Sequence, residues 1–192
     1  MKKNPEYYHK AQNVEDYYKL AEGYDGAELI EKLKVHLPDK STILEVGMGP
    51  GKDLDLLLKH YNATGSDYSQ IFLDNYQSDH SDADLILLNA VTLDTSRKFN
   101  AIYSNKVLMH ISKEDHASSI SRQKEILDGP GIILHAFWAG SGEEYFSGLR
   151  FVYYSESELR EMYEKEFDIL EVKIFTEMQK NDSIYLIAKL KS

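Results

Sequence analysis

Apolar positions change their period along the chain. From Val14 to Leu37 they recur at helical spacing (Leu20, Leu29, Ile30, Leu33), broken by Gly23 and Gly26 and ended by Pro38, which predicts one or two helices. "STILEV" then reads as a short buried strand and "DLDLLLKHY" as a helix. "ATGSDYS" carries a second strand stopping at Asp67, with a helix from Ser69 to near Gln77. "ADLILLNA", "FNAIYSN" and "PGIILHAFWA" supply three further strands. Between the last two, Ser112 to Leu127 is predicted helical, opened by "SKED", where Ser112 and Asp115 would satisfy end amides reciprocally. "SESELREMYE" starts another helix with a second such box, Ser155 and Glu158.

The alternation then stops. "FDILEVKIFTEM" and "SIYLIAKL" are extended runs joined by "QKND" with no helix between them, so they should pair antiparallel. The predicted fold class is α/β: a seven-stranded, mostly parallel sheet with helices on both faces and a C-terminal antiparallel β-hairpin at its edge. The 192 residues fit one domain, 1–192, in which a helical segment (1–37) precedes an α/β core (41–192).

Composition narrows the function. The formal charge of -10 comes from 32 acidic and 22 basic residues with no basic cluster, which argues against a nucleic-acid or anionic-membrane partner. With no cysteine there is no disulfide, thiolate nucleophile, Cys-ligated zinc or iron–sulfur cluster. "MKKNPEYYHK" lacks the apolar run of a secretory signal and no segment is long enough to span a bilayer, so a cytoplasmic setting is expected.

Chemistry concentrates in "ILEVGMGPGKDLDLLLKH". Gly47, Gly49 and Gly51 stand where a strand hands over to a helix, the ligand-binding end of an open α/β sheet. Free amides at the helix start would favour an anion there. Glu45 lies before the first glycine, and Asp67, ending the next strand twenty residues after Gly47, is placed to grip two ribose hydroxyls. A dinucleotide motif wants G-x-G-x-x-G, whereas here the spacing is G-x-G-x-G and position 52 is Lys. A carboxylate at Glu45 would repel a pyrophosphate and attract an ammonium group. An amine at one end and a ribose at the other describe S-adenosylmethionine.

"LEVGMGPG", the acid of "SDYS", "NAVTLD" and "FNAIYSNKVLMHIS", in this order, resemble the class I S-adenosylmethionine-dependent methyltransferases, whose fold is Rossmann-like. The likeness runs from about Ala11 to the C-terminus, and "YYKLAEGYDG" is similar to the N-terminal lid of many small-molecule methyltransferases. The resemblance implies that Glu45 and the Gly47 backbone hold the methionine moiety while Met48, Gly49 and Gly51 complete the loop. It further implies that Asp67 binds the ribose, Tyr68 lies beside the adenine, Asn89 meets the adenine amino group and Ala90 packs on the ring. Asn105 would face the donor's methionine and methyl end, Tyr17 and Tyr24 would close over the cofactor, and Asn100 would be more structural than chemical.

Methyl transfer from a sulfonium is an in-line displacement in which the enzyme chiefly aligns the reactants and excludes water. An oxygen or carbon acid needs a base; an amine or thiol can lose its proton to water. His110 is the candidate base, with a loop-bonding histidine as the alternative, whereas His135 inside a strand reads as a core residue. Trp138, Arg150 and Tyr153 are the candidate acceptor-binding residues. "HISKEDH" does not read as a metal site: Asp115 is explained by capping and His110 lies outside the helix carrying His116. The function expected is methyl transfer to a small-molecule acceptor. The alternatives are a cofactor-binding module without turnover, a protein or nucleic-acid methyltransferase, and a nicotinamide-dependent oxidoreductase.

Overall fold

Strand β1 (Thr42–Val46) is buried at every position after its first, the mark of a central strand covered on both faces. The computed structural model describes residues 7–192. Around β1 stand β2 (Asn62–Asp67), β3 (Leu85–Leu87), β4 (Phe99–Asn105), β5 (Leu127–Trp138), β8 (Phe167–Phe175) and β9 (Ser183–Leu190), in the order β3-β2-β1-β4-β5-β9-β8. The first five run parallel; β9 is antiparallel to both β5 and β8. The terminal hairpin thus enters the sheet with its second strand innermost, and β8 forms the edge.

Alternate strand residues face opposite layers. Ile43, Ala101 and Tyr103 pack with α2 (Ala27–Leu33), α3 (Lys52–Leu57) and α4 (Gln70–Asp79). Leu44, Val46 and Ile102 pack with α5 (Lys113–Ile126) and α6 (Glu156–Tyr163). Strand order reverses between β1 and β4, so the crevice opens at their carboxyl ends. Asn100 Oδ1 accepts from the Thr42 backbone amide and hydroxyl, tying the start of β4 to β1.

The expected N-terminal segment divides. A 3-10 turn (Tyr7–His9) and α1 (Ala11–Leu20) lie over the crevice, whereas α2 buries Leu29, Ile30 and Leu33 in the core; residues 1–6 lie outside the described residues. A second small sheet, β6 (Glu143–Phe146) with β7 (Leu149–Val152), was not evident from the pattern of apolar residues. Ser147 and Gly148 form its turn with φ of 50° and 88°, left-handed angles that suit a tight hairpin. The capping box at Ser155 and Glu158 is complete. At Ser112 only half forms: Asp115 donates its amide to Ser112 Oγ, and its shorter carboxylate takes the Ser112 hydroxyl instead of the backbone.

Two buried histidines tie α5 to the layers around it. His135 bonds Ser104 Oγ (2.8 Å) and Gln123 Oε1 (2.9 Å), and His116 bonds the hydroxyls of Tyr154 (3.0 Å) and Tyr163 (2.7 Å). Burial pushes both from 6.5 down to about 3. Above 6.5 each is neutral folded or unfolded; below it only the unfolded chain takes the proton, so stability is lost as pH falls. His135→Gln keeps an amide for both neighbours and removes this titration. Between about pH 6.5 and about pH 5 the unmodified protein should lose about 2 kcal/mol more unfolding free energy in urea than this variant. Parallel pH curves would contradict the account.

Candidate active site

After β1 the chain turns through Gly47, Gly49 and Gly51 with φ of 73°, 49° and 82°, angles that side chains resist. The three are not equivalent. A Cβ at Gly47 would lie 2.5 Å from Val107, and one at Gly51 would lie 2.3 Å from the Tyr76 ring, so protein side chains occupy that space. At Gly49 the nearest atom would be in the Tyr17 ring, at 3.3 Å. Gly47 and Gly49 line a cavity of about 430 Å³; Gly51 does not, nor does Met48, which packs into the core beside α3 and α4. The bare shelf is shorter than the glycine spacing suggests.

The cavity also gathers Asp67, Tyr68, Asn89 and Ala90 from the ends of β2 and β3. Asp67 is 9% exposed; its oxygens accept the amides of Gly49 (2.9 Å) and Ser69 (2.8 Å), which leaves each a further lone pair. Burial raises its pKa against the lowering effect of those amides. Asn89 Oδ1 accepts the Val91 amide at 2.8 Å, so the group left without a protein partner is its NH₂ donor. Across the opening Tyr8, Tyr17 and Phe72 form a ring cluster with centroids 5.3–5.7 Å apart. Tyr7 and Tyr8, which are not among the expected cofactor-binding residues, line the cavity with Tyr17.

Beside this cavity lies a buried acidic group. Glu45 is 3% exposed and its Oε2 has no hydrogen-bond partner. Burial, then Asp53, Asp67 and Asp55, drive its pKa well above the carboxylate range. Asn105 Oδ1 is also buried without a partner, while its Nδ2 donates to Asp53 Oδ2 at 3.1 Å. Tyr103 donates to the same Asp53 oxygen (2.7 Å) and the Gly26 amide donates to Oδ1 (2.6 Å). A Cβ on Gly26 would sit 2.1 Å from the Tyr103 hydroxyl, so glycine is required where the chain from α1 touches this group. The acids reach the cavity wall: burial, then Asp67, Asp53, Glu177 and Glu45, push the Tyr17 hydroxyl up to about 12. Asp53 escaped the sequence reading because it resembles an ordinary first-turn helix acid.

On the far side His110 lines the cavity, half-buried, with Nδ1 2.7 Å from the Arg150 carbonyl. That carbonyl can only accept, so Nδ1 carries the proton and Nε2 presents a lone pair. Burial lowers the His110 pKa from 6.5, partly offset by the Arg150 bond. Arg150 lines the cavity and pairs with Glu143 at 3.5 Å. Three expected residues lie elsewhere. Trp138 packs under the Lys106 ammonium (3.9 Å to the ring centroid), which also holds Glu177, Ser183 and the Phe137 carbonyl. Tyr153 bonds Glu144, and Tyr24 is 44% exposed away from the lining. His110, Asp115 and His116 turn to separate partners, and no group of three such side chains among the described residues is placed for a metal.

Residues 43–131 match the family model described as a methyltransferase domain. The fold is shared with an S-adenosylmethionine-dependent methyltransferase from Clostridium acetobutylicum (13% identity, 93% of this chain and 99% of that one, TM-score 0.76). It is shared also with 1,6-didemethyltoxoflavin-N1-methyltransferase of Burkholderia thailandensis, solved with 1,6-didemethyltoxoflavin and S-adenosylhomocysteine (16%, 96% and 90%, 0.72). N-methyltransferase NodS of Bradyrhizobium japonicum, solved with S-adenosylhomocysteine, is similar as well (13%, 94% and 98%, 0.72). A search of curated proteins returned no match. The matched segment carries the glycine loop, Asp67, Asn89 and Asn105, and the chain has the fold of the S-adenosylmethionine-dependent methyltransferases.

Glu45→Gln removes an ionisable carboxyl whose charged form is opposed by burial and by Asp53, Asp67 and Asp55, so at neutral pH the ligand-free protein should gain about 1–3 kcal/mol of stability. The same change should weaken binding of S-adenosylhomocysteine. Thermal melts with calorimetry on one preparation test both; a variant that is destabilised, or that binds as tightly as the parent, would contradict this reading.

Proposed function

We propose that the protein transfers a methyl group from S-adenosylmethionine to a small-molecule acceptor held between His110 and Arg150. The observation carrying this reading is the pair of buried acceptors without donors, Glu45 Oε2 and Asn105 Oδ1, beside a cavity lined by Asp67. An ammonium supplies the missing donors, and ribose hydroxyls suit the free lone pairs of Asp67. S-adenosylmethionine supplies, when bound, a methyl group already activated on a sulfonium sulfur.

The chain's own residues then have defined tasks. Glu45 and Asn105 fix the aminoacyl end, Asp67 fixes the sugar, and Tyr68 and Ala90 flank the base. Tyr7, Tyr8 and Tyr17 cover the opening and keep water from the reacting atoms. The field of Glu45, Asp53, Asp67 and Glu177 at Tyr17 suits a cation and opposes a pyrophosphate, which disfavours a nicotinamide cofactor. His110 Nε2 accepts the acceptor's proton while the Arg150 carbonyl holds the opposite ring nitrogen protonated. A cavity of about 430 Å³ lies low in the range for small-ligand sites, roughly 300–1,000 Å³, and with the methyl donor in it leaves room for a compact acceptor group only. The charge of -10 points the same way. Among the described residues no helix is long and apolar enough to cross a membrane.

Asp67→Ala should weaken S-adenosylhomocysteine by about 1.5–3 kcal/mol in titration calorimetry, the range for lost hydrogen bonds to a charged group. An unchanged affinity would count against the site. His110→Asn keeps a donor for the Arg150 carbonyl and removes the base. Turnover of labelled donor with a metabolite pool should then drop about a hundredfold or more, with donor affinity kept. In the parent enzyme the rate should fall as pH drops through the lowered His110 pKa, below 6.5. A parent rate flat across that region would remove His110 from the chemistry.

A further inference from the structure

Asp53 bonds both the chain crossing from α1 to α2 and the amide at the end of β4. Its two oxygens take three donors: the Gly26 amide on Oδ1, and the Tyr103 hydroxyl and Asn105 Nδ2 on Oδ2. A carboxylate can only accept. With its NH₂ drawn to Asp53, the Asn105 amide has one orientation left, with Oδ1 turned away from Asp53, and that atom is buried without a donor. Glu45 Oε2, on the same face of the sheet, is unpartnered in the same way.

We infer that Asp53 is a positioning residue that sets the polarity of the Asn105 amide, so that an acceptor rather than a donor meets the ammonium of the methyl donor, and that it ties the Gly26 hinge of the N-terminal cover to that setting. This rests on the proposed placement of the donor's aminoacyl end at Glu45 and Asn105. The neighbouring Lys52 ammonium bonds the Ala21 carbonyl at 2.5 Å, so two consecutive residues after the glycine loop hold both ends of the α1–α2 connection. The loop under the donor and the cover above it are therefore one hydrogen-bonded unit. An ammonium drawing on Asn105 Oδ1 polarises the amide and strengthens the Nδ2–H bond to Asp53, so a filled site holds the cover more firmly.

In Asp53→Asn the new NH₂ cannot serve both sides. Turned toward Asn105 it reverses that amide and presents NH₂ to the ammonium; turned toward Gly26 it opposes the backbone N–H and frees the hinge. The test compares S-adenosylhomocysteine with methylthioadenosine, which keeps the nucleoside and sulfur but lacks the amino acid. The unaltered protein should prefer S-adenosylhomocysteine. In Asp53→Asn that ligand should bind at least about tenfold more weakly while methylthioadenosine is nearly unchanged, the loss expected for one charge-assisted hydrogen bond. Asn105→Leu, which leaves Asp53 two of its donors, should show the same split, and the double variant should be little worse than Asn105→Leu alone.

Equal losses for both ligands would mean a merely structural role and overturn the inference. So would a full second loss in the double variant, or a preference retained in Asp53→Asn. If the unaltered protein shows no preference between the two ligands, the placement of the aminoacyl end itself fails, and the inference with it.

Discussion

A carboxyl group without a donor, buried at the end of the central strand, is the constraint around which this site is arranged. Glu45 Oε2 has no partner, and Asp53 and Asp67 stand close enough to raise its pKa further. Burying such a group unpaired opposes folding, and apolar packing around β1 must offset it. Leu44 and Val46 on one face, and Ile43 with Ala101 and Tyr103 on the other, supply that packing. In the proposed function the same unsatisfied group is what makes an ammonium welcome. Stability given up in the free protein reappears as affinity.

The surrounding architecture keeps this arrangement from relaxing. Gly47 and Gly51 admit Val107 and Tyr76 against the loop, which presents Gly49 to the cavity. Asp67 is held by two amides, one of them from Gly49 itself, which joins this carboxylate to the loop. Ser69 donates to the Tyr8 carbonyl and His9 bonds the Tyr68 carbonyl at 2.9 Å, so the aromatic cover is fastened to the start of α4. Opposite it, the β6–β7 hairpin carries Arg150, whose carbonyl orients His110. In the proposed function the donor end and the acceptor end are thus built from different elements that meet at the carboxyl edge of the sheet.

Much of the fold was legible because period and punctuation agree. The switch between helical and extended spacing marks each βα unit, and "QKND" without a helix marks the hairpin. Within the site, Glu45, Asp67 and the glycines stood out because strand ends are where such residues need a reason. What stayed hidden depends on pairs distant in sequence. Asp53 meets Gly26 across 27 residues and Asn105 across 52. Trp138 looked like a pocket wall, but Lys106, in a left-handed conformation with φ of 58°, folds its ammonium over that ring. The β6–β7 strands lack a clean alternation because β6 is exposed throughout.

The central claim is that a bound ammonium stabilises the charged form of Glu45, which burial and the neighbouring acids Asp53, Asp67 and Asp55 oppose in the free protein. Titration calorimetry of S-adenosylhomocysteine in buffers of different ionisation enthalpy, repeated across about pH 5–8, measures the protons exchanged on binding. The account predicts net proton release in the unaltered protein that disappears in Glu45→Gln. Heats independent of buffer at every pH, or release that survives in Glu45→Gln, would contradict it.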